Sequence, residues 1–238
     1  MSSLSIVMPV LNEAAGIGEV LDALQAECRA AQAAPAAFAG GIEVLVADGG
    51  STDGTPALCA GRVDRVIAAP RGRARQMNAG AAAARGDLLL FLHADTRLAP
   101  GSLRVLARVF AARPGAQWGR HDVHIAGRSR WLPVVAAMMN WRSAWTGIAT
   151  GDQAMVVRRA GFDAVGGFPD QPLMEDIELS RRLRALPGGH PLRLRKRATT
   201  SGRRWDTRGA WPTILLMWRL RWRYWRGTPA EVLAEAYR

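Results

Sequence analysis

The sequence predicts an α/β fold: a mostly parallel central sheet with helices on both faces, plus an amphipathic helix at the C-terminal end. Three observations predict it. Strand-like and helix-like segments alternate along the first half, the strand-like runs are almost continuously apolar, and polar residues follow where those runs stop. Continuous apolar runs are typical of parallel strands covered by helices on both faces. Ligands in such sheets bind beyond the carboxyl ends of the strands, so the polar residues there form the candidate site.

The first half alternates four predicted strands with helices. The strands are expected at residues 4–11, 42–48, 64–70 and 87–95. Apolar residues at helical spacing predict a first helix over residues 17–28. Hydroxyl and carboxylate side chains between residues 51 and 55 can cap a short helix that runs through Leu58. An alanine-rich helix is expected after the basic loop near residue 72, and Pro100 opens a further helix.

The second half is less regular. Strands are predicted over residues 118–127 and 154–157 and within the basic segment 190–205, and a helix over residues 174–186. The segment 131–147 has a mixed pattern. No internal repeat or long linker divides the chain, so we expect one main domain over residues 1–205. Residues 206–238 are expected to form a tryptophan- and arginine-rich helical appendage.

Composition limits the class of protein. Hydrophobic residues make up 49% of the 238 positions, which supplies a sizeable core and disfavours disorder. The formal charge of +12, carried almost wholly by arginine, favours a polyanionic partner such as nucleic acid, an anionic membrane surface or a phosphorylated substrate. A genome that enriches arginine explains the same excess.

The sequence also bears on location. The N-terminal residues lack a signal-peptide pattern, and no uncharged apolar run reaches about 18 residues, the length that a spanning helix needs. Cys28 and Cys59 have no metal-binding or redox spacing and are expected to be reduced thiols in the core. We therefore expect a cytoplasmic protein, either free or bound peripherally to the inner face of the cell membrane.

Five segments, in this order, resemble the family 2 glycosyltransferases. They are IVMPVLNEA, VLVADGGSTDGT, FLHAD, GDQAMVVRR and MEDIELSRRLR. The resemblance covers residues 4–205, and the segment after it resembles a small bacterial subgroup of that family. It implies a nucleotide-diphospho-sugar transferase fold of the GT-A type. It also implies an inverting, metal-dependent enzyme that moves a sugar from a nucleotide-sugar donor to an acceptor hydroxyl.

The resemblance assigns the nucleotide to the ends of the first two strands. Asp48 matches the aspartate that accepts a hydrogen bond from the base, and Pro9, Leu11 and Glu13 match the segment around base and ribose. The family usually has two consecutive aspartates where this chain has Asp48 followed by glycine. The alternative is that Asp48 and Ser51 only cap the following helix.

The basic loop after the third strand is the candidate diphosphate site. Arg73 and Arg75 lie between a strand and a helix, where guanidinium and backbone N–H groups can face phosphate, and Asn78 is a candidate nucleotide contact. The alternative is a solvated loop.

His93 and Asp95 match the family's D-x-D, whose last aspartate binds the metal that bridges the diphosphate. Alternate residues of a strand point the same way, so both side chains are predicted to reach one metal site. Histidine in the first position offers nitrogen, which suits Mn²⁺ better than Mg²⁺. The alternatives for His93 are a ribose contact or a hydrogen-bonded core histidine.

Glu175 and Asp176 match the family's acidic pair, whose aspartate is the general base. Acidic residues at a helix N-terminus also stabilise the helix, which is the alternative interpretation. Asp152 matches the loop that faces the donor sugar and acceptor. Arg203, Arg204 and Trp205 are similar to an arginine–tryptophan motif that closes over the diphosphate, although the motif is shorter here.

The tail has an apolar face of tryptophan at helical spacing. Its members are Trp211, Leu215, Trp218, Trp222 and Trp225, and the neighbouring basic face holds Arg219, Arg223 and Arg226. This combination suits a lipid interface, and the alternative is a helix docked on the main domain. Trp131, Trp141 and Trp145 are expected to extend the patch towards a lipid-borne acceptor. Nucleic acid is disfavoured, because it leaves the acidic strand ends without a role.

Two other functions remain open on the residues alone. A sugar-1-phosphate nucleotidyltransferase shares the sheet, but it needs a glycine-rich basic loop after the first strand, and residues 11–19 are acidic there. A membrane- or nucleic-acid-binding module without catalysis is the other.

Overall fold

The computed structural model describes residues 3–34 and 37–237, and within them one sheet of eight strands forms the centre of the molecule. The spatial order is β3-β2-β1-β4-β7-β6-β8-β5. The strands are β1 (Leu4–Val10), β2 (Ile42–Asp48), β3 (Arg65–Ala68), β4 (Leu88–Phe91), β5 (Thr96–Leu98), β6 (Trp118–Ala126), β7 (Met155–Arg158) and β8 (Leu192–Ser201).

Ten α-helices belong to the described part of the chain. They are α1 (Ile17–Gln32), α2 (Thr55–Cys59), α3 (Arg73–Ala83), α4 (Ser102–Ala112), α5 (Leu132–Thr146), α6 (Arg159–Ala164), α7 (Glu175–Arg184), α8 (Arg203–Arg208), α9 (Ala210–Trp225) and α10 (Ala230–Tyr237). A short 3-10 turn at Gly151–Gln153 precedes β7.

The predicted mostly parallel sheet is confirmed. Strand β1 pairs in parallel with β2 and β4, β2 with β3, and β6 with β8. Strand β7 runs antiparallel to both β4 and β6, and β5 antiparallel to β8. The parallel half therefore delivers the ends of β1, β2 and β4 to one edge, and the antiparallel half closes a cavity against it.

Helices cover both faces of the sheet, as predicted. Alternate residues of a strand point to opposite faces, so Ile6 and Met8 join the core under α1 and α4 while Val7 joins the core under α3 and α7. Cys28 and Cys59 are buried free thiols, and burial raises the pKa of Cys28 to about 12. Both cores are continuous with the strands that carry the site.

One local prediction needs correction, and one segment without a predicted element forms a helix. The fourth strand was expected to reach residue 95, but β4 ends at Phe91 and His93 and Asp95 lie in the turn before β5. The N–H of Thr96 donates to the carbonyl oxygen of His93 at 3.0 Å, which closes this turn. The mixed segment 131–147 forms the helix α5. Its pattern is mixed because apolar residues occupy both the side that packs on the core and the side that is exposed.

The tail folds as α8, α9 and α10 rather than as a single helix. Helix α9 packs on the main domain through Leu220, which lies in a cluster with Leu173, Met174 and Leu233. Its tryptophans face outwards. No helix in residues 3–34 and 37–237 combines the length and apolarity that crossing a membrane requires.

Candidate functional site

A cavity of about 750 Å³ lies at the carboxyl ends of the parallel strands, between the sheet and helices α5, α7 and α9. Ten of the residues that the sequence predicted for the site line it. They are Glu13, Arg73, His93, Asp95, Asp152, Glu175, Asp176, Arg203, Arg204 and Trp205. They come from six separate places in the chain, and the fold alone brings them together.

Asp176 is held at the start of α7 with its carboxylate towards the cavity. Its Oδ2 accepts a 2.8 Å hydrogen bond from the backbone N–H of Gly151, and Oδ1 accepts one of 2.7 Å from the N–H of Ile177. Met174, directly before this helix, has a φ of 65°, a left-handed conformation that is uncommon for a residue with a side chain. The strained turn aims the first residues of α7 into the cavity.

Glu175 points into the protein and is paired. Its Oε1 lies 3.1 Å from Nη1 of Arg73, and its side chain is only 2% exposed. Burial raises the pKa of Glu175, whereas Glu175 and Asp176 together hold the pKa of Arg73 above its ordinary value. Arg73 at the start of α3 is therefore a fixed cation that lines the cavity.

His93 is a neutral imidazole inside the cavity wall. Burial, followed by the positive charge of Arg73, lowers its pKa to about 4. Its Nδ1 lies 3.9 Å from Oδ1 of Asp152, and burial raises the pKa of that carboxyl group. A methyl group on Gly151 would come within 2.4 Å of the His93 ring, so only glycine fits beside the imidazole at this position.

Asp95 and His93 are the candidate ligands of a divalent cation. The described residues contain no group of three or more histidine, cysteine or acidic side chains placed to hold a metal by themselves. A cation that shares its coordination with substrate phosphates needs only one or two protein donors. The Asp95 carboxylate beside a neutral imidazole nitrogen meets that need, so the residues present fit such a metal.

Asp48 lies outside this cavity, at the end of β2. Its carboxylate accepts hydrogen bonds from the N–H groups of Gly50 and Ser51 and from Oγ of Ser51 at 2.5 Å. Strand β1 separates β2 from β4, so two strand spacings, about 10 Å, lie between Asp48 and the metal candidates. Pro9 and Leu11, at the end of β1, also lie outside the cavity lining.

A hydrogen-bonded turn joins the Asp48 region to the cavity. The N–H of Glu13 donates to Oγ1 of Thr55 at 2.9 Å, and the N–H of Asn12 donates to Oγ of Ser51 at 2.9 Å. Glu13 itself lines the cavity. The surface from Asp48 to Glu13 is therefore held in place by hydrogen bonds and continues into the cavity. We call this surface the ledge.

Arg75 and Asn78 have partners elsewhere. Nε of Arg75 donates to Asp170 at 2.7 Å, and both side chains are exposed. The amide of Asn78 donates to the carbonyl oxygen of Phe168 at 2.8 Å and accepts from its N–H at 3.0 Å. Neither residue lines the cavity, and Asn78 fixes the loop before α7.

The arginine–tryptophan segment covers one side of the cavity. Nη2 of Arg203 lies 3.4 Å from Oε2 of Glu13, and the guanidinium of Arg204 stacks 3.8 Å above the ring of Tyr237. Trp205 packs on the small core beneath α5 and α9. The tail thus supplies a wall of the site.

Two further arginines line the cavity and were missed in the sequence. Arg142 comes from α5 and Arg221 from α9. A signal exists for the first: Arg142 is the only charged residue between Arg130 and Asp152. No such signal exists for Arg221, which lies among many arginines of the tail.

The comparisons with known proteins agree with this architecture. A family model described as Glycosyl transferase family 2 matches residues 5–168. A search of curated proteins gave no match.

Three solved structures illustrate the shared fold. Mannosyl-3-phosphoglycerate synthase from Rubrobacter xylanophilus is 22% identical with a TM-score of 0.60, over 84% of this chain and 67% of that one. The mannosyltransferase PcManGT from Pyrobaculum calidifontis, in complex with GDP-Man and Mn²⁺, is 21% identical with a TM-score of 0.61. The match covers 99% of this chain and 69% of that one. TarS from S. aureus, in complex with UDP-GlcNAc, is 18% identical with a TM-score of 0.60. The match covers 84% of this chain and 58% of that one.

These likenesses establish the fold. The chain spans between 58% and 69% of the length of the three structures.

Proposed function

The chain belongs to glycosyl transferase family 2, and from that premise we propose that it is a metal-dependent, inverting glycosyltransferase that uses a nucleotide-sugar donor. One observation carries the proposal: a single cavity at the strand ends holds Asp95 and His93 together with Asp176. Family membership selects a glycosyltransferase among the functions that the residues alone left open.

The donor extends from the ledge into the cavity. Asp48 accepts a hydrogen bond from the base, and Pro9, Leu11 and Glu13 bound the base and ribose. Arg73 and Arg203 face the diphosphate with charge-assisted hydrogen bonds. Asp95 and His93 would hold a divalent cation, which would supply positive charge to the leaving diphosphate. The solved structure of PcManGT is a complex with GDP-Man and Mn²⁺, which supports this part of the proposal.

Asp176 acts on the acceptor. The acceptor oxygen forms a bond to the anomeric carbon while the bond from that carbon to the diphosphate oxygen breaks. The proton of the acceptor hydroxyl passes to Asp176, and the nucleoside diphosphate leaves with the bonding electron pair. The hydrogen bonds from Gly151 and Ile177 fix the carboxylate for this transfer.

The exposed tryptophans support binding to an anionic membrane surface. Ten of the thirteen exposed large apolar side chains among the described residues belong to α5 and α9 or to Trp131 directly before α5. We call them the tryptophan face: Trp131, Val134, Met138, Trp141, Trp145, Trp211, Leu215, Trp218, Trp222 and Trp225. The rings of Trp131 and Trp211 lie 5.3 Å apart, so the two helices form one face.

The charge beside this face matches an anionic bilayer. Arg219 and Arg223 belong to α9 and Arg226 directly follows it, and no acidic residue occurs in that helix. Arginine heads beside interfacial tryptophan attract anionic headgroups. Met138, Trp141 and Trp218 also line the cavity, so the cavity opens on this face. An acceptor carried by a lipid would therefore reach Asp176 from the bilayer.

A thermal-shift panel tests the proposed donor chemistry. UDP, GDP, ADP, CDP and dTDP are each added with and without Mn²⁺, because a ligand that binds only the folded protein raises its melting temperature. We expect one nucleoside diphosphate to raise the melting temperature, with a larger shift when Mn²⁺ is present. A panel in which no nucleotide gives a shift contradicts the proposal.

A further inference from the structure

Arg142 and Arg221 line the same cavity, and neither forms a salt bridge with a residue in the part of the chain that the structure describes. Nε and Nη2 of Arg142 and Nε of Arg221 are buried and have no hydrogen-bond partner within residues 3–34 and 37–237. Most buried polar groups in proteins are hydrogen-bonded, so such atoms require an explanation. Burial, together with the charge of Arg221, lowers the pKa of Arg142 to about 10, and burial also lowers that of Arg221. Burying these guanidinium groups without hydrogen-bond acceptors costs free energy. An anion bound between the two arginines would supply acceptors and negative charge and so offset that cost.

Their position separates them from the donor. Arg142 and Arg221 come from α5 and α9, whereas the residues assigned to the donor come from strand ends and from α3 and α8. The Asp176 carboxylate interacts electrostatically with both guanidinium groups. They therefore stand next to the group that deprotonates the acceptor.

The same two arginines reach the tryptophan face. A second, shallow groove of about 550 Å³ is lined by Arg142 and Arg221 together with Leu215, Trp218, Arg219 and Trp222. Arg142 and Arg221 thus belong to both the cavity and the groove. A molecule with an anionic group at this junction would extend inwards to Asp176 and outwards along the groove.

We propose that Arg142 and Arg221 form an anion subsite for a phosphate group of the acceptor, close to the hydroxyl that receives the sugar. The proposal rests on the proposed function, because it assigns the acceptor of that reaction. Arginine pairs suit phosphate, since planar guanidinium groups donate parallel hydrogen bonds to its oxygens.

The test titrates phosphate probes into protein saturated with the nucleoside diphosphate and Mn²⁺ that the thermal-shift panel identifies. Inorganic phosphate and monomeric dodecyl phosphate are the probes, followed by calorimetry. We expect wild-type protein to bind at least one of them, and R142Q and R221Q each to bind it about tenfold more weakly or worse. Their affinity for the nucleoside diphosphate should stay within about twofold of wild type, because other residues hold the donor.

R108Q is the matched control. Arg108 is an exposed residue of α4 and lines neither cavity nor groove, so this variant should bind both probes as wild type does. Removing an unpaired cation does not cost stability, so R142Q and R221Q should melt at or above the wild-type temperature. Similar affinity for both probes indicates a water-soluble phosphorylated acceptor. Tighter binding of dodecyl phosphate than of inorganic phosphate indicates an amphiphilic acceptor. Either result supports the subsite.

Three results would overturn the subsite. In the first, wild-type protein with a filled donor site binds neither probe. In the second, both arginine variants bind the probes as wild type does. In the third, R142Q and R221Q lose the nucleoside diphosphate, which would assign both arginines to the donor. A protein that binds no nucleotide at all defeats the proposed function instead, and the same probes titrated without nucleotide still report on the arginines.

Discussion

The backbone N–H of Gly151 donates a 2.8 Å hydrogen bond to Oδ2 of Asp176. The same glycine lies against the His93 ring, which leaves no room for a methyl group. One residue thus positions the candidate base and the candidate metal ligand relative to each other. The proposed reaction needs both, because the acceptor loses its proton in the same step in which the leaving diphosphate gains negative charge.

Replacing Gly151 with alanine should therefore disturb the site rather than the fold. The added methyl group displaces His93, and a displacement of about 1 Å costs about 100-fold in rate. We expect G151A to lose most of its transfer rate in assays of nucleoside diphosphate release while its circular dichroism spectrum is unchanged. The control is G115A, because a methyl group on Gly115 meets open space. Wild-type rates in G151A would contradict the positioning role.

Replacing Asp176 with asparagine should remove the general base. Asparagine keeps an oxygen that can accept from Gly151, so the turn is preserved while proton acceptance is lost. We expect kcat to fall by about 10²- to 10⁴-fold with nucleotide affinity unchanged. The control is E178Q on the same helix, because Glu178 pairs with Arg181 and Arg182 and lies outside the cavity lining. A fully active D176N would assign the base elsewhere.

Changes at Asp95 and His93 should act on the metal. D95N removes the carboxylate and H93A removes the imidazole, so both should weaken nucleoside diphosphate binding in Mn²⁺ by about tenfold or more. Binding without Mn²⁺ should change far less, because the arginines remain. Calorimetry with and without Mn²⁺ measures the difference. If D95N keeps the full effect of Mn²⁺, the cation lies somewhere else.

The tryptophan face should govern binding to vesicles. Trp145 and Trp225 are 77% and 79% exposed, so W145A and W225A remove apolar area without opening the core. We expect each to weaken co-sedimentation with anionic vesicles by about tenfold. Neutral vesicles and high salt should weaken wild-type binding, because the attraction is partly electrostatic. L58A, at an exposed leucine on α2, should bind as wild type does.

His121 should make stability depend on pH. It is fully buried, and burial lowers its pKa to about 4, against 6.5 for an ordinary histidine. Between pH 6.5 and pH 4 the unfolded chain therefore binds a proton that the folded protein does not. The free energy of unfolding is unaffected by this group above pH 6.5 and falls by about 1.4 kcal/mol per pH unit as the pH drops through that window.

Urea unfolding between pH 8 and pH 4.5 measures this effect. H121N lacks the titrating ring, so its stability should fall less steeply with acid than that of wild type. It should also be less stable at pH 8, because Nδ1 of His121 hydrogen-bonds the carbonyl oxygen of Ala154 at 3.0 Å. Equal slopes for the two proteins would assign the acid sensitivity to other groups.

Much of the architecture follows from local pattern. Apolar runs such as the one that forms β4 have to be buried on both faces, so their alternation with helices predicts the parallel sheet. The point where a strand ends is set less by the apolar pattern, because a turn can close several residues early when its backbone groups find hydrogen-bond partners. That is why His93 and Asp95 lie in a turn although the run predicted a strand. Both side chains nevertheless line one cavity, although the strand alternation from which this was predicted is absent there.

The sequence by itself determined the fold class, the glycosyltransferase motifs and the tryptophan spacing of the tail, because each depends on residues close together in the chain. Only the tertiary structure decided which of these residues share a cavity. It separated Asp48, Arg75 and Asn78 from the cavity lining and brought Arg142 beside Arg221. The physical reason is that side chains far apart in sequence meet only where helices pack, and packing depends on the shapes of all the surrounding residues at once.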